Sequence, residues 1–253
     1  MKIIYCDCAY SDIVDEKKKR EIRSAMLSSG KDVLLVPDLC RIAAKDKALL
    51  KKVSSSGELA VVACFPRAVK ALFAYAGIDK KVKLHVFNMR TSSSAEILSK
   101  LKVHGSRSQN ETVKECKPDK KSWIPWFPAI EYGRCVNCKQ CLSFCLFGVY
   151  KLSKDGKVIV AKPENCKTNC PACAKVCPKS AIIFPKYTEA PVNGGEVDEN
   201  APAGKNMRID YEKLLADDTY AFLHQRRLNA MKAAQNGTGA QPAGKTRLLK
   251  KAK

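Results

Sequence analysis

Two runs of four cysteines constrain this chain more than any other feature. The first is Cys135-x2-Cys138-x2-Cys141-x3-Cys145, and the second is Cys166-x3-Cys170-x2-Cys173-x3-Cys177. Three thiolates from one tight loop can cap three corners of a cubane iron–sulfur core, and the fourth must come from elsewhere in the chain. The two halves are an internal repeat beyond their cysteines, since Phe147–Leu152 after the first run is similar to Ala181–Pro185 after the second. Paired Cys-x2-Cys units also build structural zinc sites with four thiolates, so zinc is the alternative reading of these residues. Duplicated four-membered runs, each with a third cysteine two residues on, are far more specific than a lone pair. The interleaved Leu142, Phe144, Ala172, Ala174 and Val176 suit a dry cluster pocket. Two departures from strict repetition stand out. The gap before Cys170 has three residues, so the Cys166 loop must differ, and Leu146 stands where the second run has Pro178.

The remaining composition agrees with metal-bound rather than disulfide-bonded cysteine. The chain has 13 cysteines, an odd number, so full pairing within one chain is impossible. The apolar stretch near the start, Ile3–Tyr5, is too short for a secretory signal, and no apolar run is long enough to span a bilayer. A cytoplasmic location is therefore expected, where thiols stay reduced and dense cysteine sets are metal-binding or catalytic.

The stretch from Tyr132-Gly-Arg-Cys135 to Cys177-Pro178 resembles the bacterial ferredoxins with two [4Fe–4S] clusters. The resemblance covers about a quarter of the chain. It implies a small α+β domain of pseudo-twofold symmetry over residues 127–187 and one-electron transfer. In that family the last cysteine of each run ligates the other cluster. The resemblance therefore implies one cluster on Cys135, Cys138, Cys141 and Cys177, and a second on Cys145, Cys166, Cys170 and Cys173.

The first hundred residues read as an α/β domain, residues 1–104, with a parallel sheet of βαβ units. Strands are predicted at Lys2–Cys6, Asp32–Pro37, Glu58–Cys64 and Lys83–Met89. Helical stretches alternate with them at Glu16–Ser28, Leu39–Val53, Pro66–Ala76 and Ser94–Leu101, the pattern of a parallel sheet. Val33–Val36 and Leu59–Ala63 are apolar throughout, as suits strands covered on both faces. Cys6 and Cys64 fall at the ends of the first and third strands, and Cys40 follows the second. Ligands gather at the carboxyl ends of strands in such sheets, so Cys6, Cys8, Cys40 and Cys64 are expected to converge on one edge.

This region also resembles the N-terminal part of heterodisulfide reductase, in the flavin-carrying chain of that enzyme. The matching pieces are Cys6-Asp-Cys8, Asp38-Leu-Cys40, Val61-Val-Ala-Cys-Phe-Pro-Arg67, Leu72–Gly77 and Phe87-Asn-Met-Arg90. The resemblance implies a third [4Fe–4S] cluster on Cys6, Cys8, Cys40 and Cys64, and a place in a flavin-based or disulfide-reducing assembly. That family continues into a flavin domain. Residues 1–104 hold only Gly30, Gly57 and Gly77, so no dinucleotide fingerprint is possible and no nucleotide or flavin is expected. The residues alone leave buried or free thiols, zinc, or a redox pair at Cys6 and Cys8 as alternatives.

Residues 105–126 read as a linker with Cys116 as a spare thiol, and the aromatic Trp123–Pro128 is expected to cover the next domain's core. Residues 188–206 read as disordered, 207–234 as one helix and 235–253 as a flexible basic tail. Gly239-x4-Gly244-Lys245-Thr246 matches the P-loop spacing, but no strand precedes it and only seven residues follow, so no phosphate site is expected there. His85, His104 and His224 are scattered, and no carboxylate pair suggests acid–base catalysis.

These readings describe an electron-transfer protein or subunit serving a partner oxidoreductase of flavoprotein, hydrogenase or disulfide-reductase type. A disulfide-reducing enzyme using the N-terminal cysteines is the alternative. The net charge of +21 favours a partner with an acidic docking surface. The same charge motivates a third reading, a redox-sensing nucleic-acid binder. It ranks last, because a solvated basic surface with a basic tail explains the charge without one.

Overall fold

The computed structural model describes residues 2–102, 114–115, 123–200, 228 and 232. Four parallel strands form first: β1 (Lys2–Cys6), β2 (Val33–Val36), β3 (Glu58–Ala63) and β4 (Lys83–Asn88). Helices α1 (Glu16–Leu27), α2 (Leu39–Lys45), α3 (Lys47–Ser54), α4 (Pro66–Tyr75) and α5 (Ser94–Lys100) connect and flank them. The middle of the sheet is apolar because both faces are covered: every residue of β2 is buried, and every residue of β3 after Glu58. A two-residue strand, β5 (Lys114–Glu115), extends the sheet beside β2, giving the order β4-β3-β1-β2-β5.

Local side chains set the helix starts. Asp15, Asp38, Asp46 and Ser93 each accept a backbone N–H of the helix that follows, and Pro66 opens α4 where its missing N–H costs nothing. The single helical stretch expected over Leu39–Val53 is two helices. Asp46 leaves helical geometry and its carboxylate accepts the Leu49 N–H at 3.0 Å, restarting the chain as α3.

The second half is built around short pieces. Strand β6 (Ala129–Ile130) pairs antiparallel with β9 (Ile182–Ile183), and β7 (Tyr150–Leu152) pairs with β8 (Val158–Val160). Helices α6 (Gln140–Phe144) and α7 (Ala172–Lys175) pack against each other. This is the α+β arrangement that the resemblance implies.

The two halves share one core. Helix α4 lies on β6, and Phe127 sits between Tyr75 and Trp123 with ring centres 5.3 and 5.9 Å away. Trp126 stacks on Phe184 at 5.4 Å. Arg67 of α4 reaches Glu131 at 2.6 Å and donates to the carbonyls of Ser180 and Gly195. Residues 123–126, expected to belong to a linker, are thus part of the packing, as Trp126 is buried and Arg41 donates to the Trp123 carbonyl.

Residues 188–200, expected to be disordered, form a run of turns. Composition pointed to disorder because it does not show the tertiary partners. The carbonyls of Thr188, Pro191 and Gly195 accept from Arg90 and Arg67, and Gly194, at φ +91°, passes so close to α4 that a Cβ there would lie 2.7 Å from that of Ala68. Apart from Lys114–Glu115, which form β5, the rest of the expected linker and residues 201–206 lie outside the described residues. So do the tail over 235–253 and the helix over 207–234, apart from Leu228 and Lys232, whose backbone is helical.

Candidate metal centres

In both cysteine runs the third cysteine rides on a short helix and the fourth lies just beyond it. Cys141 is in α6 and Cys145 caps its end; Cys173 is in α7 and Cys177 follows Val176. The loops that carry the earlier cysteines turn through left-handed residues, Asn137 (φ 53°), Lys139 (φ 63°) and Asn169 (φ 62°). Asn tolerates this conformation because its short side chain bonds locally. Asn137 is held instead by distant partners, its amide donating to Gly156 O at 2.9 Å and accepting the Val158 N–H at 3.0 Å.

The eight thiols sort into two groups. Cys141 lies within electrostatic reach of Cys177, Cys135 and Cys138, and the same four line one surface pocket. Cys166 neighbours Cys145 and Cys170, while Cys173 neighbours Cys145 and Cys166 and, across the two groups, Cys141. Each group therefore takes three thiols from one run and one from the end of the other. Burial pushes the thiols of Cys141 and Cys166 up to about 12 and that of Cys173 further above its ordinary range. Backbone and side-chain donors reach the sulfurs: Ala181 N–H to Cys177 Sγ at 3.3 Å and Tyr150 O–H to Cys173 Sγ at 3.1 Å. Only Cys138 is exposed among them.

The N-terminal thiols converge at the switch point of the sheet. The connection after β1 runs to β2 on one side and that after β3 runs to β4 on the other, so a crevice opens between the carboxyl ends of β1 and β3. Cys6 ends β1, Cys8 follows in a left-handed turn (φ 48°), and Cys64 follows β3. Cys40 comes in on the first turn of α2, after β2. All four are buried. Cys6 and Cys8 Sγ lie 3.5 Å apart, and Leu39 N–H donates to Cys6 Sγ at 3.2 Å. Cys64 lies within electrostatic reach of Cys6, Cys8 and Cys40, and burial pushes its thiol up to about 12.

Charged groups to which the sequence reading assigned no role surround this pocket. Asp38 caps α2 with one carboxylate oxygen and turns the other to Lys186 at 2.6 Å, an ionic contact rather than an aligned hydrogen bond. Lys186 comes from the second half and is buried; it also donates to Pro125 O at 3.0 Å. Arg90 donates to the carbonyls of Pro185, Tyr187 and Thr188. The motif pieces ending in Arg67 and Arg90 flagged those positions without a role, and nothing distinguished Lys186 from the other lysines. His85 is exposed and pairs with Glu58.

The donor chemistry of the eight thiols in the second half suits iron–sulfur clusters. A single zinc ion holds its thiolates about 2.3 Å away and draws them around one point. No group of three or more Cys, His, Asp or Glu is gathered so among the described residues. A cubane instead holds its thiolates at separate corners. Among the described residues no helix is long and apolar enough to cross a membrane.

Comparison with known proteins places a 4Fe-4S dicluster domain at residues 134–181. An uncharacterized ferredoxin of Methanocaldococcus jannaschii is 49% identical over 67 residues, 26% of this chain. The chain spans 45% of that relative's length. Ferredoxin-3 of Nostoc sp. is 30% identical, over 28% of this chain and 86% of that protein. No solved structure matches.

Proposed function

Because the chain belongs to the ferredoxins through its 4Fe-4S dicluster domain, we propose that it is an electron carrier or electron-transfer subunit with three cluster sites. Cys135, Cys138, Cys141 and Cys177 would hold the first [4Fe–4S] cluster, and Cys145, Cys166, Cys170 and Cys173 the second. Cys6, Cys8, Cys40 and Cys64 would hold the third, as in the heterodisulfide reductase chain that this region resembles. The observation that carries the reading is the sorting of twelve otherwise scattered thiols into three groups of four.

Bound clusters supply one-electron redox chemistry at potentials that the protein tunes. The chain's part is to donate hydrogen bonds to the sulfurs from Leu39, Ala181 and Tyr150, which favours the electron-rich state, and to exclude water from the buried thiols. Exposed Cys138 opens to solvent beside Lys139 and Lys179, which line the same pocket. That face suits a partner oxidoreductase with an acidic docking surface, of flavoprotein, hydrogenase or disulfide-reductase type. Bond-making chemistry would reside on that partner.

Iron and acid-labile sulfide per chain, measured on anaerobically purified protein, test the reading. Wild type should carry about 12 irons and the Cys6→Ser/Cys8→Ser variant about 8. About 8 in both would confine the clusters to residues 134–181.

The 3.5 Å approach of Cys6 and Cys8 favours one second reading, a dithiol that closes to a disulfide with release of two electrons and two protons. Burial works against it, because a thiol held neutral is a poor nucleophile. About 8 irons together with a Cys6–Cys8 disulfide after oxidation would favour it.

A further inference from the structure

We propose that Arg90 and Lys186 form a two-cation collar that offsets the charge of the N-terminal four-thiol site and sets its reduction potential, and that residues 185–188 lock both cations in place. The proposal rests on the reading that Cys6, Cys8, Cys40 and Cys64 hold a [4Fe–4S] cluster. Four thiolates around an oxidised core carry about −2 in total, and about −3 after one-electron reduction. Such charge in a buried pocket is costly unless cations stand close by.

Arg90 is built into the wall of the pocket. The Met89 N–H bonds to Ala63 O at 2.7 Å and Ala63 pairs with Asn88, so Met89 comes beside Cys64 and Arg90 beside Phe65, with the guanidinium within electrostatic reach of Cys64 and Cys8. The guanidinium lies 5.0 Å over the ring of Phe65. It donates to the carbonyls of Pro185, Tyr187 and Thr188, at 3.4, 2.9 and 3.2 Å. Carbonyls carry no net charge, so they orient the cation without cancelling it. Lys186 projects from the middle of that same segment and meets Asp38, two residues before Cys40. Asp38 cancels much of the Lys186 charge, and Asp7, the other nearby carboxylate, pairs with Arg23 at 3.4 Å. Arg90 is therefore the stronger member of the collar.

A cation near the site stabilises the more negative, reduced state and raises the potential, so its removal lowers it. Arg90→Met and Arg90→Lys test this in full-length protein loaded anaerobically, with iron counted and each centre titrated by redox-poised electron paramagnetic resonance. The N-terminal centre is the signal missing from Cys6→Ser/Cys8→Ser. Arg90→Met should keep about 12 irons and shift that centre alone to lower potential, about tenfold in its reduction equilibrium or about 59 mV for one electron. Arg90→Lys should stay near wild type. An unchanged N-terminal potential in Arg90→Met, or equal shifts in all three centres, overturns the proposal. If Arg90→Met holds about 8 irons and Arg90→Lys about 12, the counter-charge is supported through cluster retention; about 8 in both assigns Arg90 a packing role and overturns it. Wild type at about 8 irons removes the three-cluster reading itself, and the collar with it.

Discussion

Burial governs the chemistry of single thiols here. Cys64, Cys141 and Cys166 are pushed up to about 12 and Cys8, Cys40 and Cys173 well above their ordinary value of 9.0. Metal binding must therefore expel protons from the pockets. In cluster-free protein these groups bind protons more tightly folded than unfolded. Their stabilisation is complete below pH 9 and is lost as pH rises toward about 12. The melting temperature of cluster-free protein should fall across that window, and loaded protein should lack this component. Circular dichroism melts between pH 7 and pH 11, run on both forms, would show it; parallel curves would refute it.

At the scale of elements, much was legible and the misses have physical causes. The four strands and most helices of the first half followed from apolar runs and capping residues, because a sheet covered on both faces leaves a plain pattern. The convergence of Cys6, Cys8, Cys40 and Cys64 followed from their place after parallel strands. The break at Asp46 went unread because an Asp inside an amphipathic stretch looks like any exposed helical residue until its carboxylate is seen on Leu49 N–H. Strand β5 and the turns over 188–200 depend on distant partners, which local composition does not encode. Those turns supply a test: Gly194 has a positive φ and no space for a methyl group against Ala68. Gly194→Ala should destabilise the protein by about 1–3 kcal/mol, read from denaturant melts. A neutral result would mean that the 188–200 turns do not press on α4.

For the whole molecule, the separate domains expected from the sequence are one packing unit, tied by Phe127, Arg67 and the buried Lys186–Asp38 pair. Breaking that pair from one side leaves an uncompensated charge in the core. Lys186→Met should cost about 3–5 kcal/mol, and adding Asp38→Asn, which keeps the cap on α2, should recover much of it. Equilibrium unfolding followed at the tryptophans and by iron release should give coincident transitions in wild type. Separated transitions would contradict the shared core. The route of the chain through that core has a further consequence. A protein is made from its N-terminus, so Cys6, Cys8, Cys40 and Cys64 all leave the ribosome well before Lys186 and the carbonyls that hold Arg90. For that interval the crevice lacks part of its cover, and this is when delivery of iron and sulfide to the now buried thiols meets the least obstruction.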